Sequence, residues 1–147
     1  DGHQCRTSAT NSTLSSTDQP AHGDFIIGAI DWRSPQNDNL WQGVNGINNP
    51  CPSGYRIPTD TELDAERLSW SANTSAGALA SPLKLPMAGS RKSIDGSLNY
   101  VGTYGYYWSS TVSSINSHSR NLYFLSSNAS MFESYRTFGS SVRCIKD

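Results

Sequence analysis

The stretch Ile57-Pro58-Thr59-Asp60-Thr61-Glu62 constrains this 147-residue sequence more than any other. A proline disfavours the helical region for the residue before it, so Ile57 is extended. Directly afterwards Thr59 and Glu62 stand at capping-box spacing. The Thr59 hydroxyl can accept the Glu62 amide while the Glu62 carboxylate reaches back to the Thr59 amide. Asp60 and Glu62 also suit the positive end of a helix dipole. The pattern predicts a helix over 60–70. Leu63, the stem of Arg67 and Trp70 would share one face, with Ala65 and Leu68 beside it.

Upstream of that start the chain reads as loop. Residues 1–24 have no apolar period, and from Arg6 to Asp18 they are almost all Ser, Thr and Asn. Phe25-Ile26-Ile27 and Ala29-Ile30-Asp31-Trp32 make one strand or one buried turn. Residues 33–50 form a second long loop whose apolar anchors are Leu40, Trp41, Val44 and Ile47. A loop this long is functional or packed down, and Trp32 and Trp41 are expected to be the core plugs that hold it. Downstream, 71–82 reads as a loop or a short second helical turn. From Leu83 the texture is β. Leu83, Leu85 and Met87 alternate around Pro86, as in an edge or bulged strand. Asp95-Gly96 signals a hairpin, and short strands follow over 98–101, 106–110, 119–125, 130–136 and 140–146. No internal repeat is visible. The expectation is a single α+β domain over 1–147, with one main helix, long loops and short antiparallel strands concentrated in the C-terminal half.

Composition removes several function classes. Charged residues are 16% of the chain, against about 25% in ordinary domains, and 25 serines and 11 asparagines take their place. No apolar run approaches the ~18 residues of a membrane span. The net charge of −1 provides no electrostatic footprint for nucleic acid. Aromatics at 10% are too many for a disordered tail. The cysteines Cys5, Cys51 and Cys144 are odd in number and hold no C-x-x-C pair, so one disulfide and one free thiol is the simplest arrangement. Such a low-charge, Ser/Asn-rich chain suits an extracellular or cell-surface setting. It begins at Asp1 rather than Met and shows no signal peptide, as a processed or partial chain would.

Catalytic patterns are missing. His3, His22 and His118 lie in polar stretches, and neither Gly-x-Ser-x-Gly nor His-Glu-x-x-His occurs. Asp60, Glu62, Asp64 and Glu66 crowd one short helix, where capping and a solvated face account for them. The chain is therefore read as a non-enzyme.

The informative texture lies between residues 90 and 138, where Tyr, Asn and Phe are spaced by serines. Tyr supplies large rigid contact area at low entropy cost, and Ser and Asn supply adaptable hydrogen bonds, which is the composition of binding surfaces. The candidate ligand-binding set is Arg91, Lys92, Tyr104, Tyr106, Tyr107, Asn121, Tyr123, Phe132, Tyr135 and Phe138. Strand alternation would turn Trp108, Leu122 and Phe124 inward and Asn121, Tyr123 and Leu125 outward.

Three segments carry a resemblance: Cys51-Pro-Ser-Gly-Tyr-Arg-Ile-Pro-Thr-Asp-Thr-Glu-Leu63, Gly105-Tyr-Tyr-Trp-Ser-Ser-Thr111 and Gly139-Ser-Ser-Val-Arg-Cys-Ile-Lys-Asp147. In this order they resemble the Fibrobacter succinogenes major paralogous domain family, grouped with the C-type-lectin-like fold. The resemblance implies a disulfide between Cys51 and Cys144, with Cys5 left over and Trp108 and Arg143 as scaffold. It also implies that the chain lacks the family's N-terminal strand segment, leaving an open strand edge near Val142-Arg143-Cys144-Ile145. Some members of the lectin-like group are variable proteins of diversity-generating retroelements, and residues 90–140 have the Asn/Tyr/Ser texture of their diversified stretch.

Calcium is the metal to consider, since Asn37-Asp38-Asn39 and Asp95 to Asn99 offer oxygen ligands. The sugar-chelating patterns of C-type lectins are not kept at Gln19-Pro20-Ala21 or Trp108-Ser109-Ser110, so no cofactor is expected. The functional expectation is a non-enzymatic extracellular recognition or adhesion domain that binds a glycan or cell-surface protein. The alternative is a structural subunit of a surface fibre, self-assembled by completing the open strand edge.

Overall fold

The capping box at Thr59 forms. In the computed structural model, which describes residues 9–147, Thr59 Oγ1 accepts the Glu62 amide at 3.3 Å and Glu62 Oε2 accepts the Thr59 amide at 2.8 Å. The expectations on His3 and Cys5 lie outside the described residues. Helix α1 runs over Asp60–Leu68. It stops two residues before the expected end, where the Trp70 amide bonds the Arg67 carbonyl three residues back at 3.2 Å instead of the Glu66 carbonyl four back. Trp70 thereby leaves the helix and meets the Phe124 ring edge-on at 5.8 Å. A second helix, α2, spans Ser75–Ala80. Gly77 is required in it, since a Cβ there would sit 2.0 Å from the Ala72 carbonyl oxygen.

The strands are short. β1 (Thr10–Asn11) and β2 (Phe25–Ile26) pair in parallel, so the first irregular stretch contains a strand that its Ser/Thr/Asn composition hid. β3 (Tyr55–Arg56) pairs antiparallel with the last strand. β4 (Ser90–Arg91) and β5 (Leu98–Asn99) form the hairpin that Asp95-Gly96 signalled. The main sheet is antiparallel, in the order β6 (Gly105–Val112), β7 (His118–Phe124), β8 (Ala129–Tyr135). β9 (Ile145–Lys146) ends the chain's regular structure. The architecture is a small α+β domain with short, mostly antiparallel strands.

Two strand expectations are corrected. Residues 83–87 are not a strand. Lys84 adopts φ 52°, the Leu85 amide bonds the Ala78 carbonyl at 3.1 Å, and the Pro86 carbonyl accepts the Tyr107 hydroxyl at 2.9 Å. This backbone is spent on α2 and on the sheet rather than on a strand partner. Of 140–146, only Ile145–Lys146 is a strand. Ile145 pairs with Arg56 and Lys146 with Tyr55, so the edge expected to be open there has an intramolecular partner on one side.

The core lies between the helices and the inner face of the main sheet. Leu63, Ala78, Leu85, Tyr107, Leu122, Phe124 and Ala129 are buried together, with Trp70, Leu83, Met87 and Met131 packed against them. Each large apolar side chain here contributes roughly 1.5–3 kcal/mol by leaving water. Salt bridges tie the helix to the sheet: Asp60 meets Arg120 at 3.0 Å, and Arg120 meets Glu133 at 3.2 Å. Asp60 is thus tied to the sheet, and Glu62 to the capping box. Cys51 and Cys144 are joined in a disulfide with Cα atoms 5.8 Å apart. It links the chain just before β3 to the chain just before β9. Among the described residues no helix is long and apolar enough to cross a membrane.

Candidate functional site

The outer face of the main sheet carries a continuous row of aromatic rings. On β6 the residues alternate: Tyr107 points into the core and Tyr106 outward. Tyr106 lies directly opposite Tyr123 on β7, which is opposite Ser130 on β8. One step along, Trp108, Asn121 and Phe132 sit side by side across the strands.

Two further rings come from the loop before β6. The amides of Thr103 and Tyr104 both bond the Tyr100 carbonyl, at 2.9 and 3.0 Å, and this tight turn brings the Tyr100 and Tyr104 rings to 4.8 Å. Tyr104 is 5.8 Å from Tyr106, and both lie near 6 Å from Tyr123. Phe132 follows at 6.0 Å from Tyr123. The row is therefore Tyr100, Tyr104, Tyr106, Tyr123, Phe132. Its ends are the most open, with Tyr100 50% and Phe132 55% exposed. Burial, then the neighbouring tyrosines, pushes the Tyr106 hydroxyl above its ordinary value, so it stays neutral at physiological pH.

Tyr100 holds this position at φ 59°. A bulky side chain in the left-handed region is an outlier that costs on the order of 1–3 kcal/mol. Gly102, at φ 76°, closes the same turn and bonds the Met87 carbonyl at 2.8 Å. The loop thus presents an aromatic ring to solvent where a glycine would be relaxed.

The structure divides the sequence-derived set. Tyr104, Tyr106, Tyr123 and Phe132 come together in the row. Tyr107 and Asn121 do not belong to a surface: Tyr107 is 4% exposed and Asn121 fully buried. Tyr107 faces the helices. Asn121 does face the outer side, as alternation expects, but Trp108 and Phe132 flank it, and its Nδ2 donates to Ser134 Oγ at 2.8 Å. Tyr135 stands apart and packs on His118, ring centres 4.3 Å apart. Lys92 lies in the β4–β5 turn, its amide on the Ser97 carbonyl at 2.9 Å. The Arg91 guanidinium sits 4.2 Å over the Phe25 ring and its Nε bonds the Gly96 carbonyl. Arg91 and Phe138 line a separate cavity.

Sequence reasoning missed Tyr100. The signal was present as the spacing Tyr100-x-x-x-Tyr104-x-Tyr106, but only the turn puts the three rings on one side.

The oxygen groups considered for calcium are engaged within the protein. Asp38 is paired with Arg136 at 2.7 Å, and Asp95 accepts from the Ser97 amide and hydroxyl. Among the described residues no group of three or more His, Cys, Asp or Glu comes together as a metal site would require.

Comparison with curated proteins and with solved structures gives no match. A family model described as a domain of unknown function, DUF8237, matches residues 69–145, more than half of the chain and the whole of the sheet bearing the aromatic row, and the protein belongs to that family.

Proposed function

We propose that the protein is a non-enzymatic extracellular recognition domain of C-type-lectin-like fold, and that its aromatic row docks on a glycan or on a cell-surface protein. The observation that carries this reading is the row itself, five rings in contact along one sheet face with its ends exposed. Exposed aromatics in a contiguous patch are unfavourable in water and mark interaction surfaces. Tyrosine adds hydroxyls that bond a polar partner while the ring supplies contact area. The strained Tyr100 backbone supports the same reading, because strain of this kind collects at binding sites.

The lectin-like assignment draws support from two features. β3 pairs with β9, the last strand, and a disulfide spanning 93 residues lies beside them. A disulfide also suits an oxidising, extracellular setting. A diversified scaffold of the retroelement type remains part of the proposal, and a near-identical template repeat beside the gene is its expected companion.

The test is a screen of the purified chain on glycan and cell-surface-protein arrays, beside Tyr123→Ser and Phe132→Ser. Binding that falls at least tenfold in both variants, with their melting temperatures held, is the expected result. Binding indifferent to both variants overturns the reading. So does assembly of the wild-type chain into ordered fibres without a bound partner, which favours the structural subunit.

A further inference from the structure

We propose that the protein has a second, recessed site, independent of the aromatic row, that takes a small uncharged aromatic ring bearing an N–H or O–H donor. The site is a cavity of about 580 Å³ between the N-terminal loops and the outer side of the sheet. That is the size of a small-molecule pocket. None of the five rings of the exposed row lines it.

Its walls come from distant parts of the chain. The long loops contribute Trp32 and Trp41, which hold each other edge-to-face at 5.7 Å. Strand β6 contributes Trp108, β2 contributes Phe25, and Phe138 closes the far side. The two loop tryptophans are half-buried rather than sealed in the core. They pack on each other and wall a space, where the sequence led us to expect plugs of the core.

Two residues of this wall each carry a side-chain oxygen with no hydrogen-bond partner among the described residues. Asn48 is 8% exposed and Thr137 is 2% exposed. Asn48 Nδ2 donates to the Asp18 carbonyl at 2.6 Å, which orients the amide, yet Asn48 Oδ1 accepts no hydrogen bond. Thr137 Oγ1 also has none. Buried polar atoms are nearly always satisfied, and one left unpaired is costly. Two residues with such atoms lining one cavity are the arrangement expected of groups held ready for a ligand.

The charges beside these oxygens are already matched. Arg136 meets Asp38 at 2.7 Å and Asp31 at 3.6 Å, and Arg33 meets Asp18 at 2.8 Å. A charged ligand would lose its hydration against groups whose partners are taken. Arg91, also in the wall, is engaged over the Phe25 ring and on the Gly96 carbonyl, so the occupant we propose is neutral. A polyhydroxylated ring would strip water from four or five hydroxyls, which two buried unpartnered oxygens do not repay. A flat aromatic ring matches indole and phenyl walls by edge and offset packing; a donor on it satisfies Asn48 Oδ1, and a phenol oxygen also accepts from the Thr137 hydroxyl.

The experiment titrates the wild-type chain with indole, p-cresol, indole-3-acetate and methyl β-glucopyranoside. Binding is followed by tryptophan fluorescence and by ligand-observed saturation-transfer NMR. Indole and p-cresol are expected to saturate, with Kd on the order of 0.1–1 mM for rings of this size. Indole-3-acetate and the glucoside are expected to bind more weakly. Thr137→Val keeps the side-chain shape and removes a hydroxyl that bonds nothing. Its melting temperature is therefore expected to hold or rise while affinity for p-cresol drops about 3- to 10-fold. A Thr137→Val chain that binds both rings as wild type does would overturn the proposal. So would saturation by none of the probes, tighter binding of indole-3-acetate than indole, or binding of the glucoside in place of the rings. Because the cavity and the exposed row share no side chain, a chain that takes the rings but engages no array partner upholds this site and counts only against the other.

Discussion

Arg56 grips Glu62 with two parallel hydrogen bonds, Nη1 to Oε2 and Nη2 to Oε1, each at 2.7 Å. Its Nε donates at the same time to Asp147 at 2.6 Å. One guanidinium therefore joins β3 to the first turn of α1 and to the residue after β9. The same Glu62 carboxylate completes the capping box at Thr59. The Arg56 hydrogen bonds, more than the Thr59 ones, hold its pKa down at about 2, from an ordinary 4.5.

The sign of the resulting pH dependence follows. A carboxylate whose folded pKa is depressed contributes stability that is present above pH 4.5 and is lost as pH falls toward 2. Glu62 is 38% exposed, so solvent screening reduces its worth well below the full linkage value, to about 1 kcal/mol. Urea denaturation of wild type and Glu62→Gln is expected to show a gap of that size at neutral pH. The gap should close as both are taken toward pH 2. A constant gap across that range removes the pair from the acid response.

Gly105 lies flat on a core ring. A Cβ at this position would meet the Phe124 ring atoms at 2.2 to 2.7 Å, and Phe124 is fully buried with no room to swing. Gly105→Ala is expected to cost on the order of 1–3 kcal/mol by overpacking, read as a lowered midpoint in thermal or urea melts. Gly23→Ala, where a Cβ meets nothing within 4 Å, is the control and should change little.

Removing the disulfide with Cys51→Ala and Cys144→Ala together should loosen the unfolded chain most. The closed loop spans 93 residues, for which the chain-entropy model gives about 4.6 kcal/mol as an upper figure, with 2–5 kcal/mol typical of native bridges. Calorimetry of the double variant against wild type measures it. A melting temperature that does not fall would show that β3, β9 and the Arg56 contacts hold the ends without the bridge.

Tyr107→Phe separates a core role from a binding role. The Tyr107 hydroxyl donates to the Pro86 carbonyl at 2.9 Å, and the ring stacks on Phe124 at 5.8 Å. Losing the hydroxyl leaves a carbonyl short of a partner and should cost about 1 kcal/mol. Any array binding by the folded variant should match wild type. A loss of binding with stability intact would return Tyr107 to the recognition surface.

Tyr100→Gly relaxes the left-handed position at φ 59°. The strain relieved, on the order of 1 kcal/mol, should offset the lost packing on Tyr104, so the melting temperature is expected to hold. Binding through the aromatic row should weaken. A clear drop in melting temperature would make Tyr100 a structural residue of the turn.

Local chemistry determined part of this protein outright. The capping box set where α1 begins, because a Thr and a Glu three residues apart satisfy each other's backbone amides without outside help. Asp95-Gly96 set the β4–β5 turn, and alternation set Leu122 and Phe124 inward, while Trp108, expected inward with them, stands beside Asn121 on the outer face. The aromatic texture of 90–138 was likewise legible in the sequence, but which rings shared a face was not. Tyr107 and Asn121 were read as surface residues from that texture alone. The packing of α1 and α2 buries the first, and the cross-strand neighbours Trp108 and Phe132 cover the second. Residues 83–87 alternate like a strand, yet among the described residues no strand pairs with them, and a ladder needs a partner. Tertiary structure alone decided the cavity, because Trp32, Trp41, Asn48, Trp108 and Thr137 are scattered along the chain and acquire a common purpose only when the loops fold back over the sheet. Contacts between distant segments depend on the shape of both, and no local spacing encodes that.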